Sequence, residues 1–239
     1  MNLTVFTSNQ PRHMALLGAL ADLGPLTVVM EPKSWVPWGE SAILRAYWQR
    51  VHDAEDEVFP PQIINNAHGL TISCVPMGEA SKITRRASPT HLLDADRFIV
   101  FGSSYITGWL AEELISRGAL NLHGGLAPYY RGAAPNAWAW RDGNRHLVGA
   151  QVQRLSKGLD AGEILATSRV GDFAHGDPFL AGMLAVKRGH ELLRVLLGTK
   201  ESWIPVMKND RTCEVAYHRS ADFTEEIAAE LLRDADRSR

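Results

Sequence analysis

Cysteine is scarce: only two occur in 239 residues, Cys74 and Cys213. That is too few for a disulfide framework or a cysteine-rich zinc site, so they are expected to be free, buried thiols. The opening Met1-Asn2-Leu3-Thr4-Val5-Phe6 lacks the basic and long apolar stretches of a secretory signal. No apolar run reaches the length that spans a bilayer. The expectation is a cytoplasmic protein without membrane contact. A basic excess is also missing, with 25 Lys and Arg against 27 Asp and Glu for a net charge of −2, so no nucleic-acid partner is expected.

Several signatures of catalysis are absent too. The first turn, Thr7-Ser8-Asn9-Gln10-Pro11-Arg12-His13, has no glycine, which argues against a Gly-x-Gly-x-x-Gly dinucleotide site. No Gly-x-Ser-x-Gly elbow occurs, which argues against a conventional serine hydrolase. Among nine histidines none forms His-Glu-x-x-His, and His190-Glu191 has no second histidine at the needed spacing; no metal is expected. What is present is an ordinary globular composition, 45% hydrophobic and 22% charged, in a chain long enough for one full core and an appendage.

Apolar periodicity alternates between strand and helix. Leu3 to Phe6 and Leu26 to Met30 read as strands around a helix carrying Leu16, Leu17, Leu20 and Leu23, a βαβ opening. Ile43, Leu44, Tyr47 and Val51 mark a second helix, after a loop in which Trp35 and Trp38 read as packed residues rather than a base-stacking platform. Strands are expected over 70–75, 98–101 and 119–122, with a helix through Leu110, Leu114 and Ile115 and a hairpin from 148–155 to 163–170. Asp177-Pro178 opens a helix that Gly198 closes, and Phe223, Ile227 and Leu231 mark a last short one. The fold class is α/β: a Rossmann-like, mostly parallel twisted sheet with helices on both faces. It divides into a core over 1–170 and a helical C-terminal extension over 171–239, acting as substrate cover or dimer interface.

The most informative stretch is Asn121-Leu122-His123-Gly124-Gly125-Leu126-Ala127-Pro128-Tyr129-Tyr130-Arg131-Gly132, followed by Gly158-Leu159-Asp160-Ala161-Gly162. An amide and an imidazole leave an apolar strand one residue apart, and a carboxylate sits on a later glycine-flanked turn. That set suits acyl-group chemistry. The amide can donate to a developing oxyanion, the imidazole can handle a proton, and the carboxylate can orient and charge the imidazole. The strand delivers Asn121 and His123 to its carboxyl end, the edge where open α/β sheets bind ligands.

Asn-x-His, then Pro-x-x-Arg-Gly, then Gly-Leu-Asp-x-Gly-x-Ile, in that order, resemble the active-site signature of folate-dependent formyltransferases. The resemblance covers roughly residues 95 to 170. It implies that Asn121, His123 and Asp160 are catalytic and that 10-formyltetrahydrofolate is the formyl donor. It also implies a pterin site on Phe101, Gly102, Ser103, Ser104, Tyr105 and Ile106. His123 would donate to the oxyanion or accept the amine proton, and Asp160 would fix its tautomer, raise its basicity or relay a proton through water. Asn9, Arg12, Tyr130 and Arg131 are candidate substrate contacts, Arg131 equally a residue that orders its loop.

The branch is read from departures. The glycine-free first turn differs from glycinamide ribonucleotide transformylases. The short stretch after Gly198 lacks the basic domain of the tRNA enzymes, and the chain begins at the first strand rather than with the regulatory domain of the formyltetrahydrofolate hydrolases. His123-Gly124-Gly125 replaces the His-Pro-Ser of several branches, and the wording through Arg131-Gly132 looks most like amino-sugar N-formyltransferases. The expected acceptor is the amine of a nucleotide-linked deoxyamino sugar. Glycinamide ribonucleotide or a modified amino acid is the alternative acceptor; a hydrolase or an inactive folate-binding module is the alternative class. A homodimer is compatible with the sequence.

Overall fold

β1 (Leu3–Thr7) and β2 (Leu26–Met30) are built from apolar and β-branched residues that face both ways into packed layers. The computed structural model describes residues 1–34, 41–61, 63–86, 91–170, 176–199 and 203–237; Trp35 and Trp38 lie outside them. The main sheet has seven strands in the order β3-β2-β1-β4-β5-β7-β8. The added strands are β3 (Leu70–Cys74), β4 (Arg97–Val100), β5 (Leu120–His123), β7 (Gly149–Arg154) and β8 (Ile164–Arg169). Pairings from β3 through β5 are parallel, and β7 and β8 add an antiparallel edge. The expected Rossmann-like layout with its hairpin is therefore present.

Alternation along the strands divides the core. Leu3, Val5 and Ile99 face α1 (Pro11–Leu20) and α5 (Pro178–Gly198), where Leu16, Leu17, Leu20, Leu193 and Leu197 are buried. Phe6, Phe98 and Val100 face α3 (Gly108–Ser116) through Leu110 and Leu114. Each fully buried leucine of these layers contributes on the order of 2 kcal/mol by area. A third cluster joins α2 (Ala42–Val58), α4 (Pro135–Arg141), α5 and α6 (Glu225–Arg237) around Tyr47, Trp138, Phe179, Ile227 and Leu231.

The N-terminus of α5 is capped as its sequence implies: Asp177 Oδ1 accepts from the backbone N–H of Phe179 (2.8 Å) and Leu180 (3.2 Å). Two short strands, β6 (Tyr130–Gly132) and β9 (Ala216–His218), pair in parallel as a separate sheet. Periodicity does not reveal three-residue strands. Both cysteines are free, but they are exposed rather than buried: Cys74 ends the edge strand β3, and Cys213 sits in a surface turn.

Candidate active site

β4, β5 and β7 end at a cleft of about 690 Å³, within the range of small-molecule sites. Asn121, His123 and Asp160 all line it, although Asp160 comes from the turn between β7 and β8. His123 Nδ1 lies 3.2 Å from Asp160 Oδ1, with side chains only 12% and 7% exposed. His123 Nε2 is buried and has no hydrogen-bond partner among the described residues. Nδ1, shared with Asp160, is thus the ring nitrogen with a proton acceptor beside it. Asp160 has a left-handed backbone, φ 48°, which a non-glycine residue adopts only when its surroundings hold it there.

Gly125 has a packing reason. A Cβ on Gly125 would stand 2.2 Å from Pro135 Cγ and 3.0 Å from His123 Nε2, so a side chain there would displace the imidazole. Asn136 then fastens the same loop to β7, its Nδ2 donating to the carbonyls of Gly124 (3.0 Å) and Gly149 (2.9 Å). Across the β5–β7 ladder, Asn121 pairs with Gln153 and His123 with Gln151. Both glutamines are buried, and Gln151 Nε2 donates to Gln153 Oε1 at 3.0 Å.

The second wall is the stretch Phe101, Gly102, Ser103, Ser104, Tyr105 and Ile106, all of which line the cleft. Gly102 takes φ 78°, and a Cβ there would meet His13 Nε2 at 2.1 Å; only glycine fits. The loop is gripped from behind by Glu31, at the end of β2 and 0% exposed. Its carboxylate accepts from the N–H of Gly78 (3.0 Å), Ala80 (3.1 Å) and Ser104 (2.6 Å) and from the Ser104 hydroxyl (2.7 Å). Burial pushes this carboxyl's pKa up, and the donors outweigh it, so the net shift is downward.

Lys33 also lines the cleft, its Nζ donating to the Gly102 carbonyl at 3.1 Å. Burial, followed by repulsion from Arg12, lowers its pKa. His13 is buried edge-on against Phe101, and its pKa lies well below 6.5 for the same order of causes.

The candidate substrate contacts separate. Arg12 lines the cleft and pairs with buried Glu55 at 2.8 Å. Asn9, Tyr130 and Arg131 do not line it. Asn9 is exposed and accepts from the Lys33 N–H. Tyr130 is core, its hydroxyl donating to Asp142 Oδ2 (2.9 Å) and accepting from Asn144 Nδ2 (2.8 Å). Arg131 is buried and bonded to Asn209. Each has a hydrogen-bond partner elsewhere in the protein.

Sequence reasoning missed Glu31, Lys33 and an aromatic wall of Tyr47, Trp48 and Phe179. The charges directly after β2 were the available signal for the first two. Tyr47 marks a helix in the sequence but is both core and cleft wall, its ring centroid 5.2 Å from that of Phe179.

Residues 93–177 match the family model described as Formyl transferase. The matched segment includes Asn121, His123 and Asp160. The whole chain resembles solved formyltransferases in fold. A 4-N formyltransferase from Francisella tularensis has a TM-score of 0.61 at 15% identity, over 98% of this chain and 87% of that one. An N-formyltransferase from Helicobacter canadensis, solved in complex with folinic acid and dTDP-3-aminofucose, gives 0.55 at 14%, over 98% and 81%. A phosphoribosylglycinamide formyltransferase from Streptococcus pneumoniae gives 0.55 at 17%, over 82% and 96%.

Proposed function

We propose that the protein is an N-formyltransferase that moves a formyl group from 10-formyltetrahydrofolate to the amine of a nucleotide-linked deoxyamino sugar. The observation that carries this reading is the convergence of Asn121, His123 and Asp160 on one cleft from two separate stretches of chain. The Helicobacter protein, which holds a reduced folate together with a nucleotide-linked amino sugar, supports the choice of both substrates.

The donor's pterin lies along Phe101–Ile106, where Gly102 brings the backbone to the surface of the cleft. The amine nitrogen attacks the formyl carbon, and the carbon's bond to the folate nitrogen breaks. The Asn121 amide donates to the oxygen as negative charge develops on it. With its Nδ1–H held by Asp160, His123 takes the amine proton at Nε2, the ring nitrogen left without a partner among the described residues. The folate nitrogen gains, as it leaves, the proton that the His123 imidazolium gives up. Among the described residues no three His, Cys, Asp or Glu side chains are grouped so that they could hold a metal ion.

The acceptor lies between the trio and the wall formed by Tyr47, Trp48 and Phe179, within reach of Arg12. The start of α5 and Ser220 also line the cleft, which supports the role of 171–239 as a substrate cover. The site belongs to the cytoplasm, where reduced folates and nucleotide sugars meet. Among the described residues no helix is long and apolar enough to cross a membrane.

The test measures release of tetrahydrofolate against a panel of amines. Turnover is expected with a nucleotide-linked amino sugar. Strong turnover with glycinamide ribonucleotide alone would reject the acceptor, and formate release without any amine would favour a hydrolase.

A further inference from the structure

The Pro-x-x-Arg-Gly motif has a buried arginine that does not line the cleft, so its function has to be sought in what it holds. Arg131 Nη2 donates to both oxygens of Asn209, the backbone carbonyl at 3.1 Å and Oδ1 at 2.7 Å. Its Nε lies 3.4 Å from Glu214 Oε2. With Oδ1 committed to the guanidinium, the amide nitrogen of Asn209 must point the other way. It lies 2.8 Å from the Asp160 carbonyl, 2.8 Å from the Gly162 carbonyl and 3.1 Å from Gln153 Oε1. Two N–H groups are thus shared among three acceptors.

Those acceptors are the turn that carries the catalytic carboxylate and the residue paired with Asn121 across the ladder. The turn's own bond, Ala161 N–H to the Gly158 carbonyl, is long at 3.4 Å. The left-handed Asp160 therefore relies on an outside clamp.

We propose that Asn209 is a positioning residue for the Asp160–His123 pair, and that Arg131 is its anchor. The C-terminal segment thereby completes the catalytic turn without touching substrate. The inference rests on the formyltransferase reading of the trio.

The test uses the full chain with 10-formyltetrahydrofolate and the acceptor found active. Asn209→Ala is expected to lower kcat roughly tenfold to a hundredfold, the scale of a misplacement near one ångström, with KM for the folate unchanged within about twofold. Asn209→Asp keeps the shape but turns a carboxylate oxygen toward three acceptors, and is expected to lose at least as much. In an Asp160→Asn background, adding Asn209→Ala should cost nothing further, because both act through one group. A general loss of structure would instead add to the first loss and raise KM as well.

Wild-type kcat in Asn209→Ala, or full additivity with Asp160→Asn, overturns the clamp. If Asp160→Asn is impaired while Asn209→Ala is not, only the clamp fails. If Asp160→Asn itself transfers at the wild-type rate, the reading of the trio fails with it.

Discussion

Two loops face each other across the cleft, and they are held in different ways. Phe101–Ile106 is gripped by a fully buried carboxylate that takes the N–H and hydroxyl of Ser104 along with the N–H groups of Gly78 and Ala80. The Asp160 turn is held by the neutral amide of a half-buried asparagine from the C-terminal segment. Charge-assisted hydrogen bonds are roughly twice as strong as neutral ones, but they depend on the carboxylate staying ionised. The grip on Phe101–Ile106 therefore depends on an ionised Glu31 and weakens as acid protonates it. The amide that clamps the Asp160 turn carries no charge of its own.

The two sides should come apart under mutation. The largest effect belongs to the catalytic side. His123→Ala is expected to cut kcat by roughly 10²- to 10⁴-fold, the usual scale of general acid–base assistance. Folate binding, followed by calorimetry, should stay near the parental value. Comparable losses in both would erase the division between the walls.

Acid should act on the donor side first. His190 packs against Phe59 and Phe101, the root of the donor loop. Burial, then the Arg12 charge, brings its pKa down to about 4. A base with a lowered folded pKa binds its proton more readily when unfolded. Its contribution to stability is therefore complete above about pH 6.5 and is lost as pH falls toward 4. His13, lowered for similar reasons, acts in the same direction. Glu31 acts lower: its folded pKa is depressed below 4.5, so its share is lost as pH falls through and below that value. His190→Phe should flatten the fall in stability between pH 6.5 and 4 by a few kcal/mol, measured by denaturant unfolding across that range. An unchanged slope would show that His190 does not set it.

Glu31→Gln sharpens the contrast more gently. The new amide nitrogen faces donors instead of accepting from them, so the donor loop loosens. KM for 10-formyltetrahydrofolate should rise roughly tenfold, about 1.4 kcal/mol, while kcat changes by less than about threefold. A drop in kcat at constant KM would place Glu31 on the catalytic side instead. The smallest effect is Tyr130→Phe, which removes the hydroxyl bonds to Asp142 and Asn144. Stability should fall by about 1 kcal/mol with steady-state rates unmoved, and a raised KM for the acceptor would put Tyr130 back at the substrate.

The parts of the molecule that could be read from sequence are those encoded locally. Strand and helix periods placed β1, β2 and α5, and the Asp177-Pro178 cap marked a real helix start. Asn121 and His123 share one strand, so a two-residue spacing put both on the same face at the sheet's edge. What escaped depends on partners distant in the chain. Glu31 acquires its meaning from Ser104, Arg131 from Asn209, and β6 from β9. Asn9 and Tyr130 are polar and close to the motifs in sequence, but Lys33, Asp142 and Asn144 decide where their polar atoms go. Local pattern says which residues can do chemistry; long-range hydrogen bonds select the ones that face the cleft.

The central claim is most directly tested by a crystal structure of the protein with a non-reactive 10-formyl folate analogue and a nucleotide-linked amino sugar. The account predicts the pterin along Phe101–Ile106, with the formyl oxygen about 3 Å from the Asn121 amide and the sugar amine beside His123. A folate bound away from that loop, or an amine held far from the imidazole, would contradict it.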